Sequence, residues 1–148
     1  MNPRGVYLLC IDEAQLLSLD VLTELHTLSQ HLYDSKNLLP IVLCGQNNLL
    51  DKLQYQTCAP LASRIVARHH FNPLKSSSTA EYIQHHIHVS KLKHNPFDES
   101  AVTAIFQSSG GILRRINNLA RGSLMAAARQ KHQVVNAEHV RMASSEIL

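Results

Sequence analysis

Two adjacent carboxylates, Asp12 and Glu13, close an apolar run in "GVYLLCIDEAQLLS", residues 5 to 18. In open parallel sheets ligands bind beyond the carboxyl ends of the strands, so acids placed there face a site. Asp12 suits magnesium held through a bound water, because magnesium keeps most of its hydration shell. Glu13 is turned differently and suits orientation of an attacking water, since phosphoryl transfer rests on positioning and charge stabilisation. The same residues also read as a strand entering a polar turn or helix cap.

Three further points can carry chemistry. "CGQN", Cys44 to Asn47, ends a second apolar run. If the two runs are neighbouring strands, the amide of Gln46 or Asn47 lies beside Asp12, able to sense a terminal phosphate or hold the water. The plainer reading there is a Gly-Asn turn. Arg64, in "LASR", precedes a strand-like stretch and suits a finger reaching a neighbouring subunit's nucleotide, against a solvated surface arginine. Arg114, in "GGILRRINN", starts a helix and can point at phosphates in a cleft, against a solvated helix start.

The elements that must position these residues divide near Pro73. Before it the spacing predicts alternating strands and helices. Val6–Ile11 and Leu38–Cys44 are continuous apolar runs of the kind buried on both faces of a parallel sheet. Ser18 can cap a helix to Tyr33 with Leu22, Leu25, Leu28 and Leu32 on one stripe. Asp34 to Asn37 reads as a polar turn, Asn47–Leu53 as a short helix, and Ile65–Phe71 as a third strand. Strand, helix, strand at this spacing implies a parallel α/β sheet with right-handed crossovers.

After Pro73 every signal is helical. Ser78 and Glu81 fit a capping box, Asp98 caps a second helix, and Gly110-Gly111 ends it. A third helix from Ile112 to about Lys131 turns Ile112, Ile116, Leu119, Leu124 and Ala127 inward, and Asn136 caps a fourth. The expected architecture is α/β for residues 1–74 and an all-α bundle for residues 75–148.

Composition narrows the classes without choosing among them. With 148 residues, 45% hydrophobic and 17% charged, the chain suits one domain or a small domain plus part of another, and not disorder. A net charge of +3 permits nucleic-acid contact without requiring it. No apolar run approaches the roughly 18–20 residues that span a bilayer. Three cysteines without framework spacing suggest free thiols in a reducing, cytoplasmic setting. His69, His70, His85, His86 and His88 invite a metal reading, but no carboxylate is placed with them; solvated histidines fit better.

Taken together the four points resemble the C-terminal part of an AAA+ ATPase. Asp12-Glu13 matches the Walker B box, Gln46 or Asn47 the first sensor, Arg64 the arginine-finger box, and Arg114 the second sensor of the helical lid. "DEAQLLS", "IVLCGQNNLLDKL", "AEYIQHHI", "FDESAVTAIFQSSGGILRRINNLA" and "VVNAEHVRMASSEI" bring the resemblance closer to secretion-pathway A-type ATPases and to ATPases encoded beside transposases. The likeness runs from Asn2 to Ile147. It implies a RecA-like P-loop NTPase core, a helical lid, ATP and magnesium at a site between subunits, and ring or filament assembly, on DNA or at a membrane complex.

Departures qualify it. Gln15 stands where many relatives have histidine, Leu113 where proline usually precedes the lid arginine, and Asn47 replaces a common proline. The 148 residues contain no G-x-x-x-x-G-K-[ST], so neither converging backbone N–H groups nor a lysine is supplied for the phosphates. The expectation is a truncated portion of an AAA+ ATPase that binds no ATP or magnesium stably alone. Its intact form would hydrolyse ATP, as a DNA transposition regulator working with a transposase or, alternatively, as a type II secretion A-type ATPase. Partners would be intact AAA+ subunits or further copies of the chain, to which Arg64 could be supplied in trans. A non-catalytic DNA- or protein-binding module is the remaining alternative. In that fold the strand entering the phosphate loop is central, so the first 72 residues are expected to be the less stable half.

Overall fold

A computed structural model describes residues 7–28 and 39–147. The chain divides after His69 into two compact units.

In the first unit β1 (Leu9–Ile11) and β2 (Ile41–Leu43) pair in parallel, with Leu9 against Ile41, Cys10 against Val42 and Ile11 against Leu43. The pleat separates their side chains. Ile11 and Leu43 pack on a core of Ala14, Leu22, Leu25, Leu49, Leu53, Cys58 and Leu61. On the other face Leu8 is 61% and Val42 42% exposed, with Cys10 and Cys44 also in solvent. The expectation of strands buried on both faces is therefore corrected. Residues from the helices of this unit cover one face, and the sheet among the described residues has two strands.

Helix α1 (Leu19–Leu28) follows Ser18, whose carbonyl accepts from Leu22 N–H at 3.1 Å. Leu22 and Leu25 are buried as the stripe predicts, whereas Leu28 is exposed. The expected positions of Val6, Leu32, Tyr33, the turn at 34–37 and Leu38 lie outside the described residues. Helix α2 (Asn48–Leu53), a 3-10 turn (Gln56–Cys58) and the short α3 (Ala59–Ala62) complete the core, with Pro60 in the first turn of α3, where a missing N–H costs nothing.

The third strand expected at Ile65–Phe71 does not form. The segment has no regular structure, and Val66 and Phe71 are 99% and 87% exposed. Alternation makes a strand only when a neighbour pairs its backbone groups, and no described residue pairs with this segment in a ladder.

The second unit is helical: α4 (Ser76–Val89), α5 (Glu99–Ser109), α6 (Leu113–Arg129) and α7 (Ala137–Ile147). Ile83, Ile87, Phe97, Ile105, Ile116, Leu119, Val135 and Val140 form its core. On α6, Ile116, Leu119 and Ala127 face inward, but Ile112 and Leu124 are exposed, which narrows the predicted stripe. The caps at Asp98 and Asn136 form as expected. Ala101 N–H donates to Asp98 Oδ1 at 2.7 Å, and Glu138 N–H to Asn136 Oδ1 at 3.1 Å. Ser78 does not cap α4. The helix begins three residues earlier, capped at Lys75 in place of Ser78, because Leu74 is anchored by its N–H to Gly111 O at 2.8 Å and by packing on the core.

A buried histidine went unforeseen. His139 is 1% exposed, and its Nδ1 accepts from Asn136 N–H at 3.0 Å. The proton therefore sits on Nε2, which faces Gln130 Oε1 and His132 Nδ1, each at 3.0 Å. The network ties the α6–α7 connection to the start of α7.

Candidate functional site

Beyond Ile11 the two chain segments stay paired after the strands end. Cys44 N–H donates to Ile11 O at 2.8 Å and Ala14 N–H to Cys44 O at 2.8 Å. Extending the register puts Asp12 opposite Cys44, so the acid pair and the Cys44–Asn47 corner lie side by side at the carboxyl end of the sheet. This is the adjacency that the sequence pattern required.

Both acids are exposed. Asp12 Oδ1 accepts from Glu13 N–H at 2.9 Å. Glu13 is left-handed, at φ 51° and ψ 36°, which for a residue with a Cβ costs about 1 kcal/mol and persists only where neighbours hold it.

What holds it is Gln15. This side chain is 4% exposed and sits in the 3-10 turn Ala14–Leu16. Its Nε2 donates to Glu13 Oε2 in a short hydrogen bond, while its Oε1 accepts from Gln46 N–H at 3.1 Å. From α2, Lys52 Nζ donates to Gln15 O at 2.6 Å and Leu17 O at 2.8 Å, satisfying two carbonyls of the turn. Gly45 lies against this arrangement: a Cβ there would be 2.7 Å from Gln15 Oε1.

Gln46 and Asn47 are exposed. Asn47 occupies the N-cap position of α2 without a side-chain cap bond, and its carbonyl accepts from Leu50 N–H at 2.9 Å. Behind the corner, the Cys44 thiol is pushed up, first by its hydrogen bond with Cys10, then by desolvation and by the negative charges of Cys10 and Asp12.

Arg64 follows α3, half-buried, and its Nη1 donates to Pro60 O at 2.8 Å along its own helix end. Arg114 belongs to the other unit, as the exposed second residue of α6. The structure thus brings Asp12, Glu13 and Gln46 together through Gln15, with Asn47 next in line. Among the described residues no three or more His, Cys, Asp or Glu side chains gather as a metal site. His85, His86 and His88 are exposed along α4, and His86 packs edge-on to Tyr82 with ring centres 4.5 Å apart.

Sequence reasoning noted Gln15 only as a departure from relatives and Gly45 only as part of the Cys44–Asn47 turn, and it missed Lys52 and the bridge that Gln15 makes. The one available signal was a polar residue between Ala14 and Leu16 in an otherwise apolar stretch.

A family model described as an AAA domain matches residues 2–53. Over 138 residues the chain is 35% identical to General secretion pathway protein A of Aeromonas hydrophila, an alignment taking in 93% of this chain and 25% of that protein. The chain thus spans about a quarter of the length of the curated relative it matches. The AAA-domain match takes in Asp12, Glu13, Gln15, Gln46 and Asn47. No helix among the described residues is long and apolar enough to cross a membrane.

Proposed function

With the AAA-domain match as premise, we propose that Asp12 and Glu13 are the magnesium-and-water side of an ATP-hydrolysing site in an AAA-type ATPase. The observation that carries this reading is the corner itself. Of two acids at the carboxyl end of a parallel strand, Glu13 is joined to Gln46 on the neighbouring strand's exit through one buried amide, and Asp12 lies opposite Cys44 in the extended register.

The donor set fits magnesium, a hard cation that takes carboxylate oxygens directly or through water. When bound, magnesium would neutralise charge on the phosphate oxygens. Asp12 would hold a water of its shell. Glu13 would orient the attacking water and take its proton, and Gln46 or Asn47 would contact the terminal phosphate. Of these two, Gln46 is favoured, because its main chain is tied to the partner of Glu13. Arg64 would serve a neighbouring subunit's nucleotide, and Arg114 would be a nucleotide-contacting residue carried by the helical portion, residues 75–148, with residues 1–74 as the α/β portion. The 148 residues hold no G-x-x-x-x-G-K-[ST], so turnover is expected of a polypeptide that also carries, or is paired with, such a loop. The partners of this reading are AAA-type subunits or further copies of the chain.

Between the transposition and secretion readings, the relative named a general secretion pathway protein favours secretion. The test is a graft. Residues 1–148 replace the corresponding segment of an AAA-type ATPase that has its own phosphate loop. ATP turnover is expected, and Glu13→Gln should lower it by about 100-fold or more while ATP binding persists. A graft in which Glu13→Gln turns over ATP as fast as its parent would defeat the reading.

A further inference from the structure

Gln15 is assigned no step in the reaction above, yet its side chain is buried at the corner and bonded at both ends. We propose that Gln15 is a positioning residue: its buried carboxamide holds the Glu13 carboxylate and the Gln46 main chain as one unit, so that the acid and the phosphate-facing corner move together. The proposal rests on the ATPase reading for its purpose, but not for its geometry.

A primary amide offers an acceptor at one end and donors at the other, and one this buried must use both. Here the two ends meet complementary partners, the Glu13 carboxylate and the backbone N–H of Gln46, which lies 31 residues beyond Gln15. Only one orientation of the amide is compatible with them. Turned over, its oxygen would face the Glu13 carboxylate and its NH2 would face the Gln46 N–H, with two repulsive contacts in place of two bonds. The surroundings enforce that seat. Lys52 fixes the Gln15 carbonyl from α2, and Gly45 leaves room for Oε1 where any side chain would crowd it. Glu13 meanwhile sits in a left-handed conformation that needs external support. A displacement of Gln46 by a phosphate would therefore pull on Oε1, and the same rigid amide would carry it to Glu13.

The two ends can be separated experimentally. In the 148-residue chain, Gln15→Ala should speed hydrogen exchange at the Gln46 amide by about tenfold or more and loosen the Glu13 side chain in NMR relaxation. Gln15→Glu keeps an acceptor for Gln46 N–H but loses the donor to Glu13. It should leave Gln46 protected while Glu13 alone becomes mobile. A merely structural role would instead speed exchange at Ala14 and Cys44 equally in both variants, and that pattern would overturn the proposal.

In the graft, Gln15→Glu should lower kcat about tenfold with KM for ATP within about twofold; an unchanged kcat would overturn the positioning role. If Glu13→Gln also leaves turnover intact, the ATPase reading is what has failed. The exchange and relaxation pattern, which involves no nucleotide, then decides the Gln15 bridge by itself.

Discussion

Cys44 shows how closely side chains interact at the corner. Its thiol shares a hydrogen bond with Cys10 on the adjacent strand, and desolvation and the charge of Asp12 also disfavour its thiolate. A raised thiol is less ionised at any pH below its titration, so alkylation of Cys44 near pH 8 should be slow. Cys10→Ala removes the leading cause and should speed reaction of Cys44 with iodoacetamide severalfold, as followed by peptide mass spectrometry. An unchanged rate would show that the Cys10 contact does not govern it. The placement of Asp12 and Glu13 beside the Cys44–Asn47 corner was legible because each follows an apolar run and the two runs pair. The roles of Gln15 and Lys52 were not. Both act through the fold, one by reaching Gln46 N–H and the other by reaching the carbonyls of Gln15 and Leu17. Nor did the sequence announce the left-handed turn at Glu13, because glutamate carries no preference for it.

Helix ends were read well where a side chain sets them and poorly where tertiary contacts do. Asp98 and Asn136 cap as their types predict, and Gly110 takes φ 60° at the end of α5. The start of α4 is set instead by Leu74 bonding to Gly111, a contact far away in sequence that no capping pattern records. That contact makes the two neighbouring glycines unequal. Both have positive φ, but a Cβ at Gly110 would meet nothing within 4 Å, whereas one at Gly111 would lie 2.1 Å from Leu74 O. Gly110→Ala should therefore cost only the left-handed conformation, about 1 kcal/mol. Gly111→Ala adds a collision with main chain that cannot swing aside, and should cost about 3 kcal/mol or more. Urea unfolding followed by circular dichroism at helical wavelengths would rank the two. Equal midpoints would mean that the Leu74 anchor gives way freely. The missing strand at Ile65–Phe71 teaches the same lesson, since alternation was present and a ladder partner was not.

At the scale of the molecule, the two units are built from unequal materials. Among its described residues the first depends on two strands of three residues each, with one sheet face in solvent and a core gathered from short helices and turns. Two-stranded sheets are marginal by themselves, and parallel ones are ordinarily covered on both faces. The second unit has four helices of 11 to 17 residues, closed by side-chain caps and by the paired loops at Phe97 and Val135. Helical structure with mostly local hydrogen bonds and a continuous apolar core resists local opening better than a short exposed ladder. Native-state amide exchange should therefore find Ile105, Ile116 and Leu119 protected to higher free energies than Ile11, Leu43 and Cys44. On adding urea, the first unit should open while the helical signal of the second persists. A single transition with equal protection in both units would mean that the corner around Asp12 and Glu13 draws stability from the helical unit, and the two could not be treated as separate folding bodies.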